Sequence, residues 1–221
     1  MTKSLVIFGA GDIAELAHFY FSREAKYQIA AFCVDSAYLK ESHFCGVPVI
    51  AYEDIGTQYP PEQSDVFVAL SYAKLNSVRK EKYLSLKHRG YTLATYLSDR
   101  ATLLNNGKIG DNCFILEDNT VQPFVTIGNN VTLWSGNHIG HHSTIGDHSF
   151  IASHVVISGG VSIGEQCFVG VNATLRDHIK VGDRCVIGAG ALLQANAEPE
   201  GVYMHPATER SKVPSTRLRG I

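Results

Sequence analysis

Histidines are the residues of this sequence best suited to chemistry at neutral pH. Five of the ten lie between residues 138 and 154: His138, His141, His142, His148 and His154. Because an imidazole changes protonation near neutral pH, one of them could serve as a general base in a groove. The alternative is that polar positions simply tolerate histidine, which is the interpretation favoured for His148, His154 and His178.

A glycine-containing loop is the second candidate, since Gly9-Ala10-Gly11-Asp12-Ile13 joins an apolar segment to a helical pattern. Its amides could bind a phosphate at the helix N-terminus, and Asp35, at the end of the next strand, could bind a ribose hydroxyl. The alternative is a tight turn without a ligand. Asp12 weakens the phosphate interpretation because its carboxylate repels an anion, and it could instead cap its own helix.

The five cysteines indicate neither a nucleophile nor a metal site, because none forms a Cys-x-x-Cys pair. Cys113, Cys167 and Cys185 fall on small, inward-facing positions of a repeat described below, where we expect core packing. With no export signal and no apolar run of membrane length, the expectation is a cytoplasmic protein with reduced thiols.

The elements that position these residues change character near residue 97. Before it, we predict strands at 5–8, 29–34, 47–50, 65–70 and 91–96, with helices at 12–25 and 74–87. Strands that alternate with helices indicate a small Rossmann-like α/β domain over residues 1–96 with a parallel sheet.

From residue 97 to 198 every sixth position is Ile, Val or Leu, which is the hexapeptide pattern of a parallel β-helix. The series is Leu97, Leu103, Ile109, Ile115, Val121, Ile127, Leu133, Ile139, Ile145, Ile151, Ile157, Ile163, Val169, Leu175, Val181, Ile187 and Leu193. We expect these side chains to fill a triangular prism whose coils take 18 residues each. Glycine follows eight of them, and we expect it to supply turn conformations that strain other residues.

The formal charge of −2 gives no case for a nucleic-acid partner. Charge is unevenly distributed, however, since the tail over residues 199–221 carries Arg210, Lys212, Arg217 and Arg219 against two glutamates. This basic segment could cap the last coil, contact a neighbouring chain or CoA phosphates, or remain mobile.

The α/β domain with Gly9-Ala10-Gly11, joined to an uninterrupted hexapeptide prism, resembles the sugar acyltransferases of the sialic-acid O-acetyltransferase type. That family includes N-acetyltransferases of bacillosamine and perosamine pathways in bacterial surface-glycan synthesis. The resemblance covers nearly the whole chain and implies a left-handed β-helix, a homotrimer, acetyl-CoA between neighbouring prisms and a nucleotide-linked sugar on the N-domain. No metal is expected, because metal-binding hydrases of this fold have a histidine pair five residues apart, which this sequence lacks.

The resemblance also assigns roles to individual residues. The family's base lies in Ile-x-His-acid-x-x-Ile-Gly, which reads Ile139-Gly140-His141-His142-Ser143-Thr144-Ile145-Gly146 here. His141 takes the base position, and His142 replaces the acid that would raise its basicity. Gly159 matches the residue whose amide contacts the thioester carbonyl. The remaining assignments are Phe150, Val171 and Ala189 for CoA, and Gly9, Gly11, Asp12, Ile13 and Asp35 for the sugar nucleotide, although Asp12-Ile13 departs from the family's usual loop.

The function implied is acetyl transfer from acetyl-CoA to a nucleotide-linked amino-deoxysugar, with His141 as general base. O-acetylation of a sugar of the sialic-acid type is the alternative, because an amine and a hydroxyl need the same base and oxyanion donor. A non-catalytic prism that serves as a trimeric assembly module is the third possibility.

Overall fold

The computed structural model describes residues 3–217, and its N-terminal part is a five-stranded sheet flanked by helices. In chain order the elements are β1 (Lys3–Phe8), α1 (Asp12–Phe21), β2 (Tyr27–Val34), β3 (His43–Phe44), β4 (Val47–Ala51), α2 (Ile55–Gln58), β5 (Ser64–Val68) and α3 (Ser77–His88). The strand order is β3-β4-β2-β1-β5, and only β3 is antiparallel to its neighbour. Short 3₁₀ turns follow β2 (Ser36–Tyr38) and β4 (Tyr52–Asp54).

Burial on both faces explains the apolar runs that predicted this sheet. In β1, Leu5 and Ile7 pack on the side of α1, whereas Val6 and Phe8 pack on the side of α3. All four side chains are at most 3% exposed. A strand covered on both faces cannot alternate apolar and polar residues, and this is the usual condition of parallel sheets.

Two predicted elements of this domain differ from the structure. The predicted helix at 74–87 begins instead at Ser77, because Lys74, Leu75 and Asn76 all have left-handed backbone conformations. The prediction of a strand at 91–96 is wrong, because this segment pairs with the sheet only through one parallel bridge between Leu93 and Val66. Helix α1 ends at Phe21, four residues before the end of its predicted span of 12–25, and the bounds of the other predicted strands shift by at most two residues.

Tyr96 already pairs with Phe114 and so belongs to the β-helix. The two-residue strands β6–β21 are Tyr96–Leu97, Thr102–Leu103, Phe114–Ile115, Thr120–Val121, Thr126–Ile127, Thr132–Leu133, His138–Ile139, Thr144–Ile145, Phe150–Ile151, Val156–Ile157, Ser162–Ile163, Phe168–Val169, Thr174–Leu175, Lys180–Val181, Val186–Ile187 and Leu192–Leu193, and β22 is Val202–Tyr203.

These strands stack in three parallel sheets, the faces of a left-handed prism. Pairs advance by 18 residues, as in Ile139 with Ile157. The aliphatic register from Ile115 to Leu193 is buried as predicted, whereas Leu97 is 40% exposed because no complete coil lies beneath it. The seven-stranded sheet lies against the N-terminal domain, and we call it the N-domain face. The other two are the six-stranded and four-stranded faces.

The glycines that follow the aliphatic register have a different role from the one predicted. None of the eight has a positive φ. A Cβ added at Gly146 would lie 2.5 Å from the carbonyl carbon of Gly164 in the next coil, and one at Gly140 would lie 2.6 Å from the nitrogen of Gly159. Close stacking of successive coils, rather than turn conformation, therefore requires glycine here.

The unusual turn conformation belongs instead to the third residue after each aliphatic one. Every sixth residue from 106 to 190 has a left-handed backbone: Asn106, Asn112, Asp118, Phe124, Asn130, Gly136, His142, His148, His154, Gly160, Gln166, Asn172, His178, Arg184 and Gly190. Asn, Asp and His adopt this conformation more readily than most residues. Four of the histidines that stand out in the sequence therefore occupy corners of the prism for a backbone reason.

The difference between the stacking glycines and the corner glycines predicts different outcomes for two substitutions. Gly146→Ala should lower the free energy of unfolding by about 1–3 kcal/mol, because the new methyl group overlaps the next coil. Gly190→Asn should change it by less than about 0.5 kcal/mol, because this corner has open space and asparagine occupies equivalent corners. Urea unfolding of both variants measures the difference, and an equal loss in the two would contradict this account.

A buried arginine joins the two parts of the chain. Arg79 of α3 is 1% exposed and donates hydrogen bonds to backbone oxygens of Asn130, His148 (3.0 Å) and Ser149 (3.4 Å) on the prism. It also bonds the Asn76 side chain (3.0 Å). Within the described chain no carboxylate bonds this cation, and burial lowers its pKa to about 10. Only carbonyl dipoles offset its charge, and these carbonyl groups come from both domains. The buried position of Arg79 therefore requires the two domains to be correctly aligned.

We expect Arg79→Ala to lower the free energy of unfolding by about 3 kcal/mol, because it leaves several buried oxygens without donors. The matched control is Arg100→Ala, which removes an exposed ion pair with Asp118 and should cost less than about 1 kcal/mol. Urea denaturation of the two variants provides the comparison. Equal stabilities would show that the buried contact does not hold the domains together.

Candidate functional site

His141 and His142 lie exposed at one edge of the prism, where residues stack at 18-residue intervals. We call residues 141–142, 159–160 and 177–178 the His141 edge; it separates the six-stranded face from the four-stranded face. The His141 N–H donates to Oε1 of Gln122 (2.9 Å), which fixes the backbone there. The His142 ring packs against Phe124, with 4.6 Å between the ring centroids.

The side chains of His141 and His142 are joined through their Nδ1 atoms, 3.1 Å apart. A hydrogen bond between two neutral imidazoles requires one Nδ1 to carry the proton and the other to accept it. If His141 donates, its Nε2 is unprotonated and free to act as a base. His142 thus takes the orienting position that a carboxylate would hold, and within the described residues no carboxylate bonds His141.

Gly159 lies directly against the His141 ring. A Cβ added at Gly159 would lie 2.6 Å from Cε1 and 2.7 Å from Nε2 of His141, so any larger residue would displace the imidazole. The Gly159 N–H makes no hydrogen bond within residues 3–217, whereas the equivalent N–H of Glu165 on another edge donates to Asp183 (2.9 Å). The edge therefore brings together an imidazole ring and a free backbone donor, the two kinds of group that acyl transfer needs.

The three residues assigned to CoA lie elsewhere on the prism. Phe150 is 3% exposed on the N-domain face, stacked on Phe168 and covered by Tyr72, so it does not line an open groove in this chain. Val171 and Ala189 are exposed, but they lie at the edge between the N-domain face and the six-stranded face. Their contact with CoA stays a prediction.

The glycine loop opens onto a cleft of about 900 Å³ between the N-domain and the prism. Gly9 has φ +124° and its Cβ would meet the Ala69 oxygen at 2.7 Å, so glycine is required there. Gly11 is the N-cap of α1, and Asp12 makes no side-chain capping bond, so the capping alternative is wrong. The lining residues are Gly11, Asp12, Ile13, Leu16, Ala69, Leu70, Ser71, Tyr72, Ala73 and Trp134.

This cleft contains both favourable and unfavourable features for an anion. The N–H groups of Asp12 and Ile13 make no hydrogen bond within the described chain, yet Asp12 is the one charged side chain among the lining residues. Asp35 does not line the cleft and is paired with Lys82. The structure therefore places Gly11, Asp12 and Ile13 together at the cleft, and Asp35 is not among the residues that line it. Tyr72 and Trp134 were not predicted as site residues, because nothing local distinguishes an aromatic residue that lines a cleft from one that packs in the core.

The cysteines provide no competing nucleophile. Cys33, Cys113, Cys167 and Cys185 are buried, and burial raises the pKa of Cys113 and of Cys167 to about 12. The exposed Cys45 also has a raised pKa, chiefly through desolvation. The predicted packing role of the three repeat cysteines is confirmed.

His148 differs from the other corner histidines because it is buried against α3. Its Nδ1 lies 2.9 Å from Nδ2 of Asn130, and its ring packs edge-on against Tyr83. Desolvation, followed by the charge of Lys80, lowers its pKa from 6.5 to about 4. His148 is therefore neutral in the folded protein at neutral pH and is unsuited to exchange protons there.

The lowered pKa of His148 predicts a pH-dependent stability. Because the unfolded side chain binds a proton near pH 6.5 and the folded one near pH 4, stability should fall as the pH drops from 6.5 to 4, by about 3 kcal/mol in total from this group. His148→Asn should flatten this part of the profile, while His154→Asn, at an exposed corner, should not. Urea unfolding between pH 4 and 7 tests this, and identical profiles for both variants would refute it.

Within residues 3–217 no helix is both long and apolar enough to cross a membrane. The same residues contain no group of three or more His, Cys, Asp or Glu placed to hold a metal ion.

Comparison with known families supports this assignment of the repeat. Residues 106–140 and 125–159 match the bacterial transferase hexapeptide (six repeats), and residues 160–195 match the hexapeptide repeat of succinyl-transferase. None of the curated proteins compared with the chain matches it.

Several solved structures share the whole fold. The acetyltransferase domain of PglB from Neisseria gonorrhoeae, in complex with acetyl coenzyme A, is 21% identical with a TM-score of 0.81, over 93% of this chain and 97% of that one. PerB from Caulobacter crescentus, in complex with CoA and GDP-perosamine, is 19% identical with a TM-score of 0.81, over 93% and 95%. WeeI from Acinetobacter baumannii is 21% identical with a TM-score of 0.76, over 91% and 96%.

Residues 106–195 thus consist of hexapeptide repeats, and the fold of the chain is a left-handed β-helix with a Rossmann-like domain preceding the prism. More particularly, its two-part fold is that of the PglB acetyltransferase domain and of PerB, along nearly its entire length. The predicted resemblance is confirmed at the level of the fold.

Proposed function

We propose that the protein is an acyltransferase that moves an acetyl group from acetyl-CoA to the amine of a nucleotide-linked amino sugar, as a step of surface-glycan synthesis. The observation that carries the proposal is the contact between the His141 ring and Gly159, whose N–H is free. A general base and an oxyanion donor are the two groups required for direct transfer from a thioester. The similarity in fold to proteins solved with acetyl-CoA and with CoA and GDP-perosamine supports the choice of substrates.

In this mechanism the neutral amine attacks the thioester carbonyl while Nε2 of His141 takes its proton. The carbon–nitrogen bond forms, and the oxyanion accepts a hydrogen bond from the Gly159 N–H. The carbon–sulfur bond then breaks, the CoA thiolate leaves, and Nε2 of His141 returns the proton to it, so that CoA is released as the thiol. In this mechanism the Nδ1–H of His141 donates a hydrogen bond to Nδ1 of His142 throughout, which keeps His141 in the tautomer whose Nε2 accepts the proton. No acyl-enzyme forms, in keeping with the buried cysteines.

The geometry of the prism supports an active site shared between copies of the chain. The cleft at Asp12 and Trp134 lies on the N-domain face, whereas the His141 edge is the prism edge opposite that face. A sugar held in the cleft of one chain therefore lies on the opposite side of the prism from the His141 of the same chain. We therefore propose a homotrimer in which each acceptor cleft is presented to the His141 edge of a neighbour.

The direct test is His141→Asn. Asparagine keeps a hydrogen-bonding side chain but cannot accept the proton, so kcat should fall about 10²- to 10⁴-fold with the fold preserved. His154→Asn, at an equivalently exposed position on another edge, is the control and should retain full turnover. Acetyl-CoA consumption with a panel of nucleotide-linked and free amino sugars gives the rates, and mass spectrometry of the product separates amide from ester.

Near-normal turnover of His141→Asn would assign the base elsewhere, with His142 the first candidate. A chain that neither binds CoA nor consumes acetyl-CoA with any acceptor would overturn the enzymatic proposal and favour an assembly module.

A further inference from the structure

Two adjacent glycines interrupt the His141 edge between two imidazoles, and we call this position without side chains the notch. Gly159 and Gly160 have no side chains, and their equivalents one coil earlier are His141 and His142. The His141 ring covers Gly159 from the preceding coil. The His178 ring covers Gly160 from the following coil, where a Cβ added at Gly160 would lie 2.7 Å from Cε1 of His178. Both imidazoles therefore border the same notch from opposite sides.

Backbone hydrogen bonds hold the two histidines in fixed relation to this notch. The Gly160 N–H donates to the His141 carbonyl (2.8 Å), and the His178 N–H donates to the Gly159 carbonyl (3.0 Å). The side chain of His178 is exposed, so its ring nitrogens are accessible to a ligand that enters the notch. Asp177 next to it pairs with Arg176.

The chemistry at Gly159 determines which part of a ligand would pass His178. With the thioester carbonyl at the Gly159 N–H, the attacking amine must approach on the His141 side to reach Nε2. Because the acceptor occupies the His141 side and the acetyl methyl group is small, the long chain attached to the sulfur is best accommodated on the other side, toward the following coil. That chain is the pantetheine arm of CoA, whose amide groups are neutral hydrogen-bond donors and acceptors, and an imidazole can pair with either.

We propose that His178 is a positioning residue that binds an amide of the pantetheine arm and aligns the thioester with Gly159 and His141. This inference rests on the proposed function, because it requires acyl-CoA at the His141 edge. The left-handed backbone at residue 178 by itself explains why a histidine is found there. The inference adds a role for the His178 side chain in binding the acyl donor.

The chain contains a matched control for this inference. His154 covers Gly136 at another edge, where a Cβ on the glycine would lie 2.6 Å from Cε1 of His154. His154 has the same left-handed backbone, the same exposure and the same packing on a glycine, with φ of +58° against +59° for His178. The two residues differ in the edge that they occupy. Because the edge of His154 also carries Val171 and Ala189, an effect common to both substitutions reflects packing or contact along that edge, and only an effect specific to His178 supports its role.

The experiment measures CoA binding by isothermal titration calorimetry, and acetyl-transfer kinetics, for the wild-type protein, His178→Ala, His178→Asn and His154→Ala. We expect His178→Ala to raise the Kd for CoA and the KM for acetyl-CoA by about 3- to 10-fold, the effect of one lost hydrogen bond, with kcat within about twofold. His178→Asn, which suits the backbone and keeps a hydrogen-bonding group, should restore part of the affinity, and His154→Ala should match the wild type.

The inference is wrong if His178→Ala binds CoA as tightly as His154→Ala, or if its kcat falls while the Kd is unchanged. Loss of folding would appear as altered circular dichroism, in which case His178→Asn against His154→Asn decides between the same two outcomes. A wild-type protein that does not bind CoA overturns the proposed function itself. Wild-type binding with indistinguishable variants overturns only the role of His178.

Discussion

The close stacking of parallel coils is the constraint on which the rest of the structure depends. Each coil donates backbone hydrogen bonds to the next across 18 residues, and at glycine positions such as Gly140 and Gly146 a single Cβ would collide with the backbone of the next coil. This spacing sets the six-residue period and buries the aliphatic register. It also brings Gly159 against His141, because residues 18 apart in sequence become nearest neighbours along an edge.

The N-terminal domain packs against the β-helix through an interface that combines apolar and charged contacts. Phe114 and Leu116 of the prism belong to the same buried cluster as Phe21 and Phe67 of the sheet. Arg79 adds a cation held by carbonyl groups at a prism corner. Because apolar packing tolerates small displacements and a buried cation with directional bonds does not, Arg79 defines the relative position of the two parts. The cleft at Asp12 and Trp134 is thereby kept on the face away from His141.

The sequence was most informative where one residue type repeats for a single physical cause. The aliphatic register predicted the prism and its core, and the strand–glycine–helix pattern predicted the α/β domain. The predicted reason for the glycines was wrong, because sequence period does not distinguish a turn conformation from a steric limit between coils. The strand at 91–96 was overpredicted since its apolar residues serve one bridge and the interface with the prism. Contacts between distant segments, such as Arg79 with His148 and Gly160 with His178, had no local signal.

The left-handed corners have a consequence for how such an edge can acquire or change an active site. Asparagine, histidine, aspartate and glycine all adopt the left-handed backbone of a corner more readily than most residues. They offer different chemistry: an amide, a base, an acid and no side chain, respectively. Substitution among them alters the chemistry presented at an edge while the coil path stays the same. By the resemblance to the sugar acyltransferases, His142 in the position of an acid would be one such exchange. The prism is in this sense a scaffold on which catalytic groups can be interchanged with little effect on folding.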